Sequence, residues 1–273
     1  MAPALLQASS FRFSFALLAF FSLSNYCSCF NPRLYNFTES KDASSWSVAG
    51  ATWYGSPNGY GTDGGACGYG SVVGTAPFYS MVSAGGPSLY KSGEGCGTCF
   101  EVKCTSNAAC SGNPVTVTII DECPGCVSES FHFDLSGLAF GAMAENSQAD
   151  QLRNAGQLEV QFRRVECNYQ GYRVNFRVDP GSNNNYFAVA IEFENRDGDL
   201  SEVYLQQAQN PNEWLPMQRS WGAVWKLDSG GTALRGPFTL SLKSLQSGET
   251  LVAQNVIPAE WQPGATYSSD VNF

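Results

Sequence analysis

The feature that most constrains this fold is the placement of its cysteines. Eight of the ten lie in one stretch and none follows it: Cys67, Cys96, Cys99, Cys104, Cys110, Cys123, Cys126 and Cys167. An even set of cysteines in a secreted chain indicates disulfides, although eight allow 105 pairings. The sequence therefore predicts a disulfide-stapled domain that ends at Cys167, followed by a cysteine-free domain that core packing must hold together.

Two Cys-x-x-Cys units keep other chemistries open. The spacings Cys96–Cys99 and Cys123–Cys126 also occur in zinc ribbons and in redox pairs. An oxidising compartment favours structural bridges over both alternatives. We therefore expect disulfides here and no metal site.

The N-terminus indicates secretion. Residues 11–24 form a mainly apolar run with a single charged residue, Arg12. The run is too short to span a bilayer and is typical of a secretory signal peptide. We assign residues 1–29 to that peptide, with Cys27 and Cys29 removed. Residues 30–45 are polar and irregular, and they predict an exposed arm with an N-glycosylation sequon at Asn36. No later stretch is long and apolar enough for an integral membrane segment.

Charge excludes several classes of partner. The chain has 15 Lys and Arg against 24 Asp and Glu, a net charge of −9. This balance argues against nucleic acid and against anionic polymers or membranes. No Gly-rich phosphate motif with a lysine is present, so we expect no nucleotide or other cofactor. No apolar stripe demands a partner subunit, and we expect a monomer that binds neutral, polar ligands.

Periodicity predicts two β domains. In residues 46–167, a glycine-dense segment precedes clear strands at 115–120 and 158–165, with a short helix at 136–143 capped by Ser136. In residues 171–273, alternating runs at 172–178, 187–193 and 238–243 are separated by turn signals, which favours a β-sandwich. The connection between the two parts is short, so we expect the domains to pack together.

An acid beside a histidine is the clearest chemical cluster. His132 is the only histidine, and Asp134 projects to the same face if the segment is extended. The pair can be a general acid or a structural hydrogen-bonded pair. Glycoside hydrolysis needs a second carboxylate. The candidates in the first domain are Asp63, Glu94, Asp121 and Glu122, and the sequence does not choose between them.

Several short motifs are distributed along the chain. They are Thr52-Trp53-Tyr54-Gly55, Gly64-Gly65-Ala66-Cys67-Gly68-Tyr69, Gly95-Cys96-Gly97, His132-Phe133-Asp134-Leu135-Ser136-Gly137, Trp221-Gly222-Ala223-Val224-Trp225 and Gly236-Pro237-Phe238. As a set they resemble β-expansin signatures, from residue 46 to the C-terminus. The resemblance implies an all-β fold: a six-stranded double-psi β-barrel, similar to family-45 glycoside hydrolases, followed by an immunoglobulin-like carbohydrate-binding β-sandwich.

The resemblance also implies disulfides and cleft residues. The implied bridges are Cys67–Cys96, Cys99–Cys167 and Cys104–Cys110, and we add Cys123–Cys126 as our own prediction. The implied cleft residues are Thr52, Tyr54, Asp63, His132 and Asp134, with Asp134 resembling the proton donor of the hydrolases. Ser56 stands where those hydrolases carry their catalytic base. General-base help is worth roughly 10²–10⁴ in rate, so its loss predicts little or no hydrolysis.

Aromatic residues complete the functional hypothesis. We predict that Trp53, Tyr54, Tyr186 and Trp221 line a polysaccharide-binding surface across both domains, and that Trp225 is a core residue. Trp214 and Trp261 stay undecided. The resulting hypothesis is non-hydrolytic loosening of the plant cell wall through binding of cellulose or xylan-type matrix glycans. The alternatives are an endoglycanase that uses Asp134 and Asp63, and a passive carbohydrate-binding wall protein.

Overall fold

The computed structural model describes residues 45–273. The predicted signal peptide (residues 1–29), nearly all of the predicted arm and the Asn36 sequon lie outside these residues. Within the described part, no helix is long and apolar enough to cross a membrane.

Six strands of the first half close into a barrel in the order β1-β5-β2-β4-β3-β6. Their bounds are β1 Ser47–Tyr54, β2 Val82–Gly85, β3 Cys99–Cys104, β4 Val115–Glu122, β5 His132–Ser136 and β6 Leu158–Val165. The pairs β1/β5 and β2/β4 are parallel, and the other pairs are antiparallel. The predicted six-stranded barrel is confirmed.

Side chains from most of these strands fill the barrel. Phe100, Phe133 and Phe162 are buried, with neighbouring ring centroids 5.2–6.0 Å apart. Three short helices accompany the strands: α1 Pro87–Tyr90, α2 Gly137–Ala142 and α3 Ala149–Asn154. The Ser136 hydroxyl accepts the Ala139 N–H at 3.0 Å, which is the N-cap that the sequence predicts for α2.

The second half forms two antiparallel sheets packed face to face. Their strands are β7 Asn175–Val178, β8 Tyr186–Glu192, β9 Leu200–Gln207, β10 Leu215–Pro216, β11 Gln218–Trp221, β12 Val224–Asp228, β13 Phe238–Ser244, β14 Thr250–Ile257 and β15 Thr266–Ser268. One sheet has the order β10-β9-β13-β14 and the other β11-β12-β8-β7-β15. The predicted sandwich is therefore confirmed.

The sandwich core explains why this half needs no disulfide. Phe187 meets Phe238 and Trp261 edge-on, with ring centroids 5.2 and 5.4 Å apart. Trp225 is buried in the same cluster, which confirms its predicted core position. Burial of each such ring contributes about 1.5–3 kcal/mol. The structure also settles the undecided pair: Trp261 is a core residue, whereas Trp214 is 39% exposed.

Four disulfides staple the barrel half. They are Cys67–Cys96, Cys99–Cys167, Cys104–Cys110 and Cys123–Cys126. These pairs are the three that the resemblance implies and the one that we added. Because all eight sulfurs are bonded to each other, none is a free thiolate for a zinc ribbon.

Three arginines fasten the barrel to the sandwich. Arg177 donates to the carbonyl oxygen of Gly68, and Arg219 donates to that of Gly93 at 3.3 Å. In the opposite direction, Arg164 of the barrel pairs with buried Asp199 of the sandwich at 3.0 Å. These contacts position the cleft of the barrel next to one sheet of the sandwich.

Candidate functional site

The cleft is built on two parallel strands of the barrel. Strand β1 lies beside β5 in a register that pairs Thr52 with Asp134 and Gly50 with His132. Residues two apart on a strand share a face, so Thr52, His132 and Asp134 meet on one side. A side chain at position 50 would collide with the imidazole, since a Cβ there would lie 2.7 Å from His132 Nδ1. Glycine at this position makes room for the histidine.

A chain of hydrogen bonds joins these side chains. The Thr52 hydroxyl donates to Asp134 Oδ1 at 2.6 Å and lies 2.9 Å from His132 Nε2. On the other side of the ring, His132 Nδ1 lies 2.9 Å from Glu129 Oε2. Ser128 donates to that same carboxylate oxygen at 2.6 Å. The chain fixes the orientation of both the imidazole and the Asp134 carboxyl.

Glu129 is a member that the sequence did not reveal. It lies in the loop before β5, where no regular period relates it to His132 or Asp134. Hydrogen bonds from Ser128 and His132 lower the pKa of Glu129, so it is an anion in this chain. The signal available in the sequence was an acid three residues before the only histidine. In a loop, however, the spacing of two residues does not show whether their side chains point to the same side.

Asp121, at the end of β4, is the second carboxylate of the cleft. Its Oδ1 accepts the backbone N–H groups of Ala66 at 2.7 Å and Glu122 at 2.8 Å. Among residues 45–273, it is the carboxylate whose charge acts on the pKa of Asp134. Of the four candidates that the sequence left open, the structure therefore brings Asp121 to the cleft.

The Asp134 carboxyl is tuned by its surroundings. Burial raises its pKa most, and the charge of Asp121 acts in the same direction. The hydrogen bond from Thr52 and the charge of His132 lower it, but the net pKa lies above the ordinary value. A carboxyl of this kind keeps its proton to a higher pH and can donate a hydrogen bond in mildly acidic conditions.

Tyr54 contributes an unusual hydroxyl. Its Oη is buried, and no hydrogen-bond partner for it lies within residues 45–273. Burial, followed by the charges of Asp121 and Asp134, raises the pKa of Tyr54, so the hydroxyl stays protonated. Gly61 packs directly on the ring. A buried donor without a partner costs about 1–3 kcal/mol, which makes Tyr54 Oη a strong candidate to bind a ligand oxygen.

The structure does not bring every predicted residue to this cleft. Asp63 lies on an exposed loop, where it accepts a hydrogen bond from the Tyr60 hydroxyl at 2.5 Å. Trp53 projects to the opposite face of β1 from Thr52 and Tyr54. It packs against the barrel core, and its indole N–H donates to the Arg153 carbonyl oxygen at 3.0 Å. Ser56 is exposed in the turn after β1, and a carboxylate is missing there.

Trp221 continues the cleft onto the sandwich. Its side chain is 47% exposed, and its ring lies against Gly68 of the barrel, where a Cβ would come within 2.7 Å. The segment from Ala66 to Gly68 thus touches Asp121 at one end and Trp221 at the other. The Asp134 cleft and the sandwich surface are therefore linked through three consecutive residues.

One face of the five-stranded sheet extends this surface to Tyr186. Strand alternation places Val224, Ala190, Ala188 and Tyr186 on the same side, and they pack as one small cluster. We call Trp221 together with these four residues the front surface. Ala188, Ala190 and Val224 are at most 4% exposed, so the two aromatic ends, Trp221 and the partly buried Tyr186, are the parts of this surface that a ligand can reach.

Comparisons with known proteins agree with this architecture. A family model described as the expansin C-terminal domain matches residues 174–258, and one described as lytic transglycolase matches residues 82–162. The chain is 59% identical over 252 residues to putative expansin-B2 of Arabidopsis thaliana, covering 92% of each chain. It is 58% identical to expansin-B11 of Oryza sativa, covering 84% of this chain and 78% of the relative.

A solved structure shows the same fold. The expansin of Clavibacter michiganensis superposes with a TM-score of 0.63 at 24% identity, covering 84% of this chain and 98% of its own. A mutant of that protein has been solved in complex with cellohexaose, and it matches equally well. The relatives above share most of their length with this chain. The chain therefore belongs to the β-expansin family.

Proposed function

We propose that this protein is secreted into the plant cell wall, where it loosens polysaccharide contacts without hydrolysing them. The observation that carries the proposal is the continuity between the Asp134 cleft and the exposed Trp221 ring. A glycan chain lying on Trp221 is led by the segment Ala66–Gly68 toward Asp121 and Asp134. The cellohexaose complex of the bacterial relative supports a β-glucan chain as the ligand. Xylan-type matrix glycans offer the same ring faces and hydroxyl groups.

The front surface would bind the glycan chain. A pyranose ring has an apolar face that can lie flat on an aromatic ring, and removing ~100 Å² from water is worth up to ~2.5 kcal/mol at ~25 cal/mol/Å². One such contact is largely offset by the cost of association. Two accessible rings on the same face of the sheet, Trp221 and Tyr186, would hold a chain well enough to compete with its neighbours in the wall.

The cleft would supply the local disruption. Asp134 can donate or accept a hydrogen bond according to its protonation, and Thr52 holds it in one orientation. Tyr54 adds a protonated hydroxyl with no protein partner in the described chain. These groups would replace chain-to-chain hydrogen bonds of the bound glycan with protein contacts. No covalent bond is broken in this scheme, and no cofactor is needed.

Hydrolysis is the second candidate function, and Asp121 is the observation that favours it. Paired with Asp134 as acid, Asp121 could activate a water molecule. Against this, Asp121 Oδ1 already accepts two backbone N–H groups, which gives the carboxylate an anchoring role. Asp63, the partner that the sequence suggested for this alternative, is hydrogen-bonded to Tyr60 on an exposed loop.

The two functions separate in one paired experiment. Purified protein is added to heat-killed wall strips under constant load, and the bath is assayed for reducing sugar. We expect extension without sugar release above the blank, also with cellulose or xylan as the free substrate. Sustained release that disappears in Asp121→Asn would establish an endoglycanase instead.

The front surface makes a separate prediction. Trp221→Ala and Tyr186→Ala should each weaken binding to insoluble cellulose by about tenfold, as expected for a contact worth about 1.4 kcal/mol. Both side chains lie outside the main core, so thermal unfolding should stay close to that of the unaltered protein. Binding isotherms measure the effect, with the exposed Tyr172→Ala as the control. Unchanged binding in both front-surface variants would remove the sandwich from the proposal.

A further inference from the structure

The four-stranded sheet of the sandwich has an outer face that the proposed function does not use. Side chains alternate along β9 and β13, and Val203, Leu205, Leu240 and Leu242 all point into the core. Tyr204 lies between two of these core residues, so its ring is on the outside.

A register row crosses this outer face. Tyr204 pairs with Pro216 on one side and with Ser241 on the other, and Ser241 pairs with Val252. Val252 is 36% exposed although it is a large apolar residue. These residues lie in one line across four strands, unlike the isolated apolar residues that any protein surface carries.

Trp214 adds a second aromatic ring to the row. It immediately precedes β10, in which Leu215 faces the core and pairs with Leu205. Alternation therefore places Trp214 on the outside, diagonal to Tyr204, at a separation that large side chains bridge. Its 39% exposure means that core packing does not account for this residue. We call Trp214, Pro216, Tyr204, Ser241 and Val252 the rear surface.

The charges beside the rear surface cancel. Lys243 pairs with Glu202 at 2.7 Å. These two residues face each other on the outer side of the sheet, two positions along their strands from Ser241 and Tyr204. The Tyr204 hydroxyl donates to the same Glu202 carboxylate at 2.8 Å, which fixes the position of the ring. Two aromatic rings with flanking hydroxyl groups and a neutralised ion pair match a neutral sugar chain, which presents apolar ring faces and hydroxyl edges. A polyanion would find no unpaired cation in this row.

We propose that the rear surface binds a second, neutral β-linked glycan chain, independently of the front surface. The two sheets of the sandwich pack their inner faces against one core, so their outer faces point away from each other. One molecule would then hold two polysaccharide chains at once. A protein that moves along one chain would displace the other, which extends the loosening proposed above.

A capture assay tests the bridge. The full chain is first bound to insoluble cellulose, and a labelled soluble arabinoxylan is then added. The unaltered protein should retain the label, and Trp214→Ala with Tyr204→Ala should retain about tenfold less while binding cellulose normally, by the same 1.4 kcal/mol conversion. Tyr172→Ala, which removes an exposed aromatic residue of matched exposure (38%), should retain the label. Equal retention by the rear-surface variant, or none by the unaltered protein, would overturn the proposal.

A second measurement keeps this result separate from the fate of the proposed function. Affinity electrophoresis in gels containing soluble arabinoxylan is run with Trp221→Ala, in which the front surface is disabled. Retardation that persists in this variant and is lost when Trp214→Ala is added supports the rear site, whether or not the protein extends walls. No retardation in Trp221→Ala means that the rear surface does not bind arabinoxylan, either because another part of the chain or a second copy covers it or because it has no ligand. In each case the proposal fails.

Discussion

Asp134→Asn is expected to reduce wall extension by about tenfold to a hundredfold while leaving the barrel folded. The loss follows from the value of a hydrogen bond to a charged group, about 1.5–3 kcal/mol. Asparagine has the shape of aspartate, so it still accepts from Thr52, and the register of β1 and β5 is unaffected. It cannot change its protonation, however, and it removes the charge that faces Asp121. The creep rate of loaded wall strips measures the effect.

Asp63→Asn is the matched control for this substitution. Asp63 was predicted for the same cleft, yet the structure holds it against Tyr60 on an exposed loop. Its substitution should leave the creep rate within a factor of about two, since surface substitutions usually change free energies by less than about 0.5 kcal/mol. Full extension by Asp134→Asn would show that the cleft is a bystander and that the protein is a passive binder. An equal loss from Asp63→Asn would place the loop in the mechanism.

Much of the fold could be predicted from the sequence because the patterns that indicate strands and helix caps are local. Apolar residues in alternation predict β4 and β6, and Ser136 caps α2 as its position suggests. Other features depend on closure of the barrel. Period-two alternation shows that Trp53 and Tyr54 face opposite sides, but which side becomes the core is decided only when β1 pairs with β5 and β6.

The candidate site was only half predictable for the same reason. His132 and Asp134 share a strand, so their common face follows from spacing alone. Asp121 and Glu129 come from other elements, and their approach depends on the strand order β5-β2-β4 and on a loop path. The resemblance pointed to Asp63, whose glycine-rich loop has no periodicity that could place it. Asp121 reaches the cleft through long-range strand pairing, which no local pattern in a single sequence reveals.

The seam between barrel and sandwich leads to a prediction about stability and pH. Glu194 is buried there, 3% exposed. Burial raises its pKa to about 8, its own backbone hydrogen bond opposes the shift, and the charges of Glu192 and Asp199 add to it. Burial also raises the pKa values of Glu192 and Asp199, although Arg177 and Arg164 pair with them. All three acids at this seam therefore have raised pKa values in the folded protein, and Glu194, with a pKa of about 8, is the one that holds its proton near neutral pH.

The direction of the effect follows from proton counting. Between the ordinary pKa near 4.5 and the folded pKa of about 8, folded Glu194 holds a proton that the unfolded chain releases. The folded state thus binds more protons in this window, and raising the pH must lower the free energy of unfolding. The slope approaches 1.4 kcal/mol per pH unit for one such group, on the order of 5 kcal/mol over the whole window. Glu129 and Glu202 are partly exposed, and their pKa values are lowered, so they act in the opposite direction but are screened by solvent.

We therefore expect the urea midpoint to be highest near pH 5 and to fall steadily toward pH 8. Glu194→Gln, which preserves the shape and neutrality of the protonated side chain, should flatten this dependence and make the variant more stable than the unaltered protein at pH 8. Glu202→Gln, which changes a partly exposed acid on the sandwich, should leave the slope nearly unchanged and serves as the control. A midpoint that rises with pH would mean that Glu194 is ionised in the folded state, with Arg219 as its counter-ion. The seam would then be held by an ion pair, and acidification of a wall would weaken the docking of the two domains. Our expectation is the opposite, namely that acidification strengthens this docking.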